Sequence, residues 1–330
     1  MRSGLLAFLL CTIAALGFDH AANAANKVKV GVLKFGTVSW ALDTIHANGL
    51  DKAEGIELDI EPLASTQATT VGLQAGSVDV IATDWLWVSR ERSGGADFTF
   101  SPFTTALGAI VVPPNSPIKT LTDLKGKRLG VAGGPLDKSW LLLVAYALRT
   151  ANFDLRSETR QEFGAPPLLN ERAKQGEIDA VLTFWPYAAR LETEGFSQLI
   201  AVEDVVRELG AKGEVAMVGY VFSESWAKNN LDAVQGFLRA AAKAEELLAT
   251  SNKEWERLKP LMSENDPTFT DATFEALKRQ YREGIPERSS AENEADAKVL
   301  YQFLRELGGA KLVGPGTELA PGTFWHGGKQ

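Results

Sequence analysis

The residues of this chain with the clearest chemical potential fall at turns that follow strand-like runs. Thr37, Ser39 and Trp40 follow the first run, Ser65 and Thr66 the second, and Asp84 and Trp85 the third. Gly134, Asp137, Lys138 and Ser139 follow a later run, and Trp185 closes another. Hydroxyls and unpaired N–H groups at helix starts hold anions, because the helix dipole is positive there. Lys138 could pair a sulfonate or carboxylate, while Asp84 and Asp137 could each pair an amine. The tryptophans offer flat apolar walls or faces for a cation. Each group also has a purely structural use. The hydroxyls and Asp84 can cap helices, the tryptophans can pack a core, and Asp137 and Lys138 can lie on the surface.

Catalytic patterns are missing from the sequence. It contains no GxxxxGK[ST], no GxGxxG after a strand, no HExxH and no GxSxG. The single cysteine, Cys11, lies in an N-terminal apolar run, and beyond residue 24 the two histidines, His46 and His326, are far apart. No catalytic residue, metal site or cofactor is expected. Asp+Glu number 42 against 34 Lys+Arg, a net charge of −8 with no basic run. Phosphate neutralisation needs clustered Lys and Arg, so no nucleic-acid partner is expected. A chain of 330 residues, 45% of them hydrophobic, is enough for two cores.

The N-terminus has the form of an export signal. Arg2 supplies the positive start, Leu5 to Phe18 the apolar stretch, and Ala22-Asn23-Ala24 an A-x-A cleavage site. The apolar stretch falls short of the ~20 residues that a spanning helix needs. Residues 1–24 are therefore expected to be a cleaved signal peptide, with the mature protein in the periplasm.

Behind the turns lie the elements that must position them. Alternating Val28, Val30 and Val32 predict a strand over 27–33, and a helix follows over 39–53. A strand is predicted over 56–63, a helix up to Gly76, and a buried strand over 78–83. The order strand–helix–strand–helix–strand implies a parallel sheet, with ligands beyond the carboxyl ends of its strands. A second unit repeats the pattern, with strands at 106–112, 127–132 and 178–184 and helices at 138–151, 165–175 and from Trp185. A further strand is predicted over 214–222. Helices are predicted at 225–228, 230–250, 253–262, 271–283 and 291–308, and the Gly/Pro-rich tail 309–330 should wrap the surface.

Five collinear segments carry a family resemblance: KVKVGVL (27–33), QAGSVDVIATD (74–84), SPIKTLTDLKGKRLGVAGG (116–134), QGEIDAVLTFWPYAARL (175–191) and YVFSESWAKNN (220–230). With the export signal, they make the chain resemble the periplasmic solute-binding proteins of ABC transporters, in the nitrate/sulfonate/taurine group. The resemblance implies an α/β, two-lobed periplasmic-binding-protein fold. Each lobe would be a mostly parallel sheet flanked by helices, with two crossing strands as hinge near Ile110–Pro113 and Val218–Phe222. One lobe would comprise 25–111 plus 220–330, the other 112–219. It implies no enzyme activity but closure around a small organic solute, sulfonate- or taurine-like, and delivery by a monomer to an inner-membrane permease. A thiamine-precursor-like pyrimidine or an amine is the alternative solute. The alternative class is an enzyme of pyrimidine or menaquinone precursor synthesis on the same fold. The chain departs from the group after DLKGK. Where many members have Gly-Ser or Gly-Thr, it has Gly133-Gly134-Pro135-Leu136-Asp137-Lys138-Ser139, which displaces the hydroxyl and adds an acid.

Overall fold

The structure, a computed structural model, describes residues 26–264 and 266–327. The expected signal peptide lies outside the described residues. No described helix is long and apolar enough to cross a membrane.

The chain builds two five-stranded sheets. The first contains β1 (Asn26–Leu33), β2 (Ile56–Leu63), β3 (Val80–Asp84), β4 (Phe98–Thr104) and β10 (Val218–Ser223), in the order β2-β1-β3-β10-β4. Between its strands run α1 (Val38–Ala47), α2 (Leu50–Ala53), α3 (Thr66–Gln74) and α4 (Trp85–Ser93). Val28, Val30 and Val32 of β1 are buried, as their alternation requires. The helix expected over 39–53 is broken in two. Gly49 adopts φ +63°, a left-handed turn that a helix cannot pass through.

The second sheet contains β5 (Gly108–Val112), β6 (Arg128–Ala132), β7 (Arg160–Gly164), β8 (Ala180–Phe184) and β9 (Ser197–Ala201), in the order β7-β6-β8-β5-β9. It carries α5 (Lys138–Ala151), α6 (Leu155–Glu158), α7 (Pro166–Lys174), α8 (Trp185–Thr193) and α9 (Val202–Glu208). In each sheet four strands run one way and one is reversed: β10 in the first, β5 in the second. Each reversed strand is the one that follows a change of sheet.

The changes of sheet occur at Thr105–Leu107 and between α9 and β10. β5 pairs only with β8 and β9, so the first crossing lies before Gly108 and not at Ile110–Pro113. Hydrogen bonds hold this crossing. The Thr105 N–H donates to the Gly284 carbonyl at 2.9 Å, and the Leu107 N–H to Glu203 Oε1 at 2.6 Å.

Downstream come α10 (Glu224–Asn229), α11 (Leu231–Thr250), α12 (Asn252–Ser263), α13 (Asp271–Glu283), α14 (Ser290–Gly308) and α15 (Ala310–Val313). α11 packs on α1 and β1, whereas α13 packs on α8 and α14 on α5, so these helices touch elements of both units. The tail does more than wrap the surface. The N–H groups of Phe100 and Trp325 bond to Thr323 and Phe100 carbonyls, and Phe324 is buried against Phe100. This covers the free edge of β4.

One half-buried acid has a measurable consequence. Glu245 of α11 lies near Tyr220 and Tyr281, and burial pushes its carboxyl up to about 8. A carboxyl raised on folding binds more protons folded than unfolded between its ordinary value and 8, so it lowers stability as pH rises through that window. Glu245→Gln is therefore expected to melt a few degrees above the natural protein at pH 9 and close to it at pH 5. Parallel melting profiles across that range would refute this.

Candidate functional site

The carboxyl ends of β1, β3, β6 and β8 converge on one pocket between the two sheets, with a volume of about 120 Å³. The first sheet brings Thr37, Thr66 and Asp84 to its wall; the second brings Asp137, Lys138, Phe184 and Trp185. Phe35, Phe103 and Leu107 complete a mainly apolar lining, and the crossing residues Ala106 and Val218 reach it as well.

Lys138 is the first residue of α5 and only 8% exposed. Its ammonium lies 5.4 Å from the centre of the Phe184 ring, a cation–π distance. No described carboxylate lies within ion-pair distance of it. A buried cation without an ionic partner is costly, and an anionic ligand would supply what is missing.

Two carboxylates flank this cation. Asp137 caps α5, accepting from the Ser139 N–H at 2.9 Å. It lies against Gly133, where φ +87° and a position 2.9 Å from Asp137 Oδ2 leave no room for a Cβ. Asp84 caps α4, with Oδ1 accepting from the Trp87 N–H at 2.8 Å. Burial pushes the Asp84 carboxyl up, and the Lys138 ammonium is the strongest influence in the other direction.

The remaining residues singled out at the turns face elsewhere. Ser39 donates to the Gly36 carbonyl at 2.6 Å, and Ser65 caps α3 by accepting from Ala68 N–H at 3.1 Å. Trp40 is buried edge-on to Trp185 and Trp255 behind the pocket wall. Trp85 and Ser139 are buried, and neither the indole N–H nor the hydroxyl has a partner among the described residues. Gly134 does not line the pocket but lets its loop approach α3. A Cβ there would stand 2.8 Å from Gln67 Nε2. Thr37 makes no capping bond with its side chain, which leaves its hydroxyl available to a ligand.

Sequence reasoning missed Phe35, Phe103 and Phe184. The signal for Phe184 was present: it ends a buried strand two residues before the α8 proline, Pro186. Further contacts join the two sides beside the pocket. The Tyr187 hydroxyl of α8 donates to the Phe35 carbonyl at 3.3 Å, and Arg190 pairs with Asp266 at 3.0 Å. Among the described residues, no group of three or more His, Cys, Asp or Glu side chains is arranged to hold a metal ion.

Two α/β units enclosing a pocket lined from both sides define a two-lobed, periplasmic-binding-protein type of fold. The comparisons agree. The alkanesulfonate-binding protein SsuA from Xanthomonas axonopodis pv. citri, bound to MOPS, superposes with a TM-score of 0.69 over 91% of this chain and 98% of that one, at 19% identity. The desulfurization enzyme DSZB matches with a TM-score of 0.57 over 88% and 96% of the two chains, at 16% identity. The fold is thus shared by a binding protein and an enzyme. In sequence, residues 46–254 match the model of the NMT1/THI5-like family, and the chain belongs to that family. A curated relative, the putative aliphatic sulfonates-binding protein of Escherichia coli K12, is 24% identical over 185 residues. That match spans 55% of this chain and about half, 54%, of the relative.

Proposed function

We propose that this chain is the periplasmic substrate-binding component of an ABC importer, taking a small organic solute with an anionic, sulfonate-like head between its lobes. The observation that carries this is Lys138, a nearly buried ammonium without an ionic partner among the described residues, lining a pocket walled by both sheets. The names of the relatives support the solute class, and the N-terminal sequence supports export. The first lobe follows the first sheet with β10, and the second follows β5–β9. They close as a monomer and hand the solute to an inner-membrane permease. Nothing in the pocket lining calls for turnover: it holds two carboxylates that cap helices, one lysine and no histidine or cysteine.

The test is a thermal-shift screen followed by titration calorimetry on the exported form, after unfolding and refolding to strip carried-over ligand. Alkane- and aminoalkanesulfonates are expected to bind 1:1 without being consumed. A ligand at 100 times its Kd adds about 2.7 kcal/mol of stability. A shift with pyrimidines alone would transfer the reading to the aromatic walls and Asp84. Consumption of a bound compound would replace the importer with an enzyme.

A further inference from the structure

The charges around the pocket do not balance for a simple anion. Three charged side chains line it: Lys138, Asp84 and Asp137. Asp137 is engaged at the start of α5 and against Gly133. Asp84 is engaged only through Oδ1, and its Oδ2 has no hydrogen-bond partner among the described residues. Lys138 and Asp84 come from opposite sheets, both line the pocket, and they stand farther apart than an ion pair. The other charged groups near Asp84 are Asp137 and Arg90. Arg90 bonds instead to the Leu312 carbonyl, outside the pocket lining.

An anion that pairs with Lys138 takes from Asp84 its main cationic neighbour. It also places a like charge nearby, within walls made of Phe35, Phe103, Leu107, Phe184 and Trp185. One ammonium then serves two negative charges, and the one left without a counter-charge in apolar surroundings is strongly unfavourable. A solute that brings its own positive group removes the conflict and gives Oδ2 a donor. Building on the binding role proposed above, we infer that Asp84 is a specificity-determining residue that selects zwitterions, solutes with an ammonium a short distance from the anionic head, over plain anions.

Matched pairs differing only in the amine test this: 2-aminoethanesulfonate against ethanesulfonate, and 3-aminopropanoate against propanoate, titrated into the natural protein and Asp84→Asn. Asparagine keeps the α4 cap. In the natural protein the amino member of at least one pair is expected to bind at least tenfold tighter than its plain counterpart. In Asp84→Asn the ratio is expected to fall to about one or invert, because the plain anion gains. Comparing the pairs on the natural protein needs no variant, so a folding defect in Asp84→Asn would not conceal the result. If the plain anions bind as tightly as the amino compounds, the selection is overturned and the anion-binding role of the cleft stands. An amine preference that persists unchanged in Asp84→Asn overturns Asp84 as its source. If none of the four compounds binds, both proposals fall.

Discussion

Lys138→Met is expected to weaken binding of an anionic solute by roughly ten- to a hundredfold while leaving the protein folded. Hydrogen bonds to charged groups contribute about 1.5–3 kcal/mol, and each 1.4 kcal/mol is a tenfold change in Kd. The effect should sit at the upper end of that range, because the ammonium meets the solute in apolar surroundings where water competes little. Methionine keeps a flexible side chain of similar length over Phe184, and sulfur packs favourably beside aromatic rings. Removing a buried charge that has no ionic partner among the described residues also removes its desolvation cost, so the unliganded variant should melt no lower than the natural protein. Calorimetry and melting of the same preparation separate the two effects. A change in Kd below about threefold, with melting unaltered, would remove Lys138 from the site.

Much of the architecture was legible because local signals agreed with one another. α13 reads correctly at both ends: Thr270 caps it and Gly284 follows its last residue. β2 and α5 match the sequence expectation to the residue. The missed strands have a common cause. β7 and β9 are the edges of their sheet and carry polar, half-exposed residues, so their hydrophobic pattern is weak. β4 contains Pro102, which argues against a strand, yet Pro102 stands where β10 shifts register opposite it. That error reached the site, because Phe103 and Thr104 of β4 line the pocket. The strand-end turns do gather around the pocket, as the topology of a parallel sheet requires. Which residue of each turn faces inward was not legible. Successive residues in a helix point about 100° apart. Lys138 therefore lines the pocket while Ser139 is buried away from it, and Thr66 lines it while Ser65 caps α3.

The site also rests on a glycine that touches no ligand. Gly108→Ala is expected to cost about 3–5 kcal/mol, among the largest effects open to a single methyl group. Gly108 opens β5 directly after the first crossing, with φ +146°, a conformation that L residues rarely adopt. A Cβ there would lie 2.1 Å from the Thr183 carbonyl oxygen and 3.1 Å from Phe184 Cα. Both are backbone atoms of β8, so no rotamer change can relieve the clash. Either β5 moves away from β8 or β8 moves with the residues it ends in. Gly108 pairs with Phe184 in the ladder, so a shift displaces the Phe184 ring beneath Lys138 and the Trp185 wall beside it. It also strains the Leu107–Glu203 bond that holds the crossing. Gly49→Ala is the matched control. Its φ of +63° carries the left-handed penalty of about 1–2 kcal/mol, but a Cβ there meets nothing within 4 Å. Urea melts of the two variants should differ by at least about 1 kcal/mol, the smallest difference between those two estimates. Equal costs would mean that the second sheet yields freely at β5. Ligand affinity should separate the variants further. Gly49→Ala should retain it, because the turn between α1 and α2 is remote from the pocket lining. Any Gly108→Ala that still folds should lose it, because the movement that accommodates the methyl group is a movement of the pocket wall.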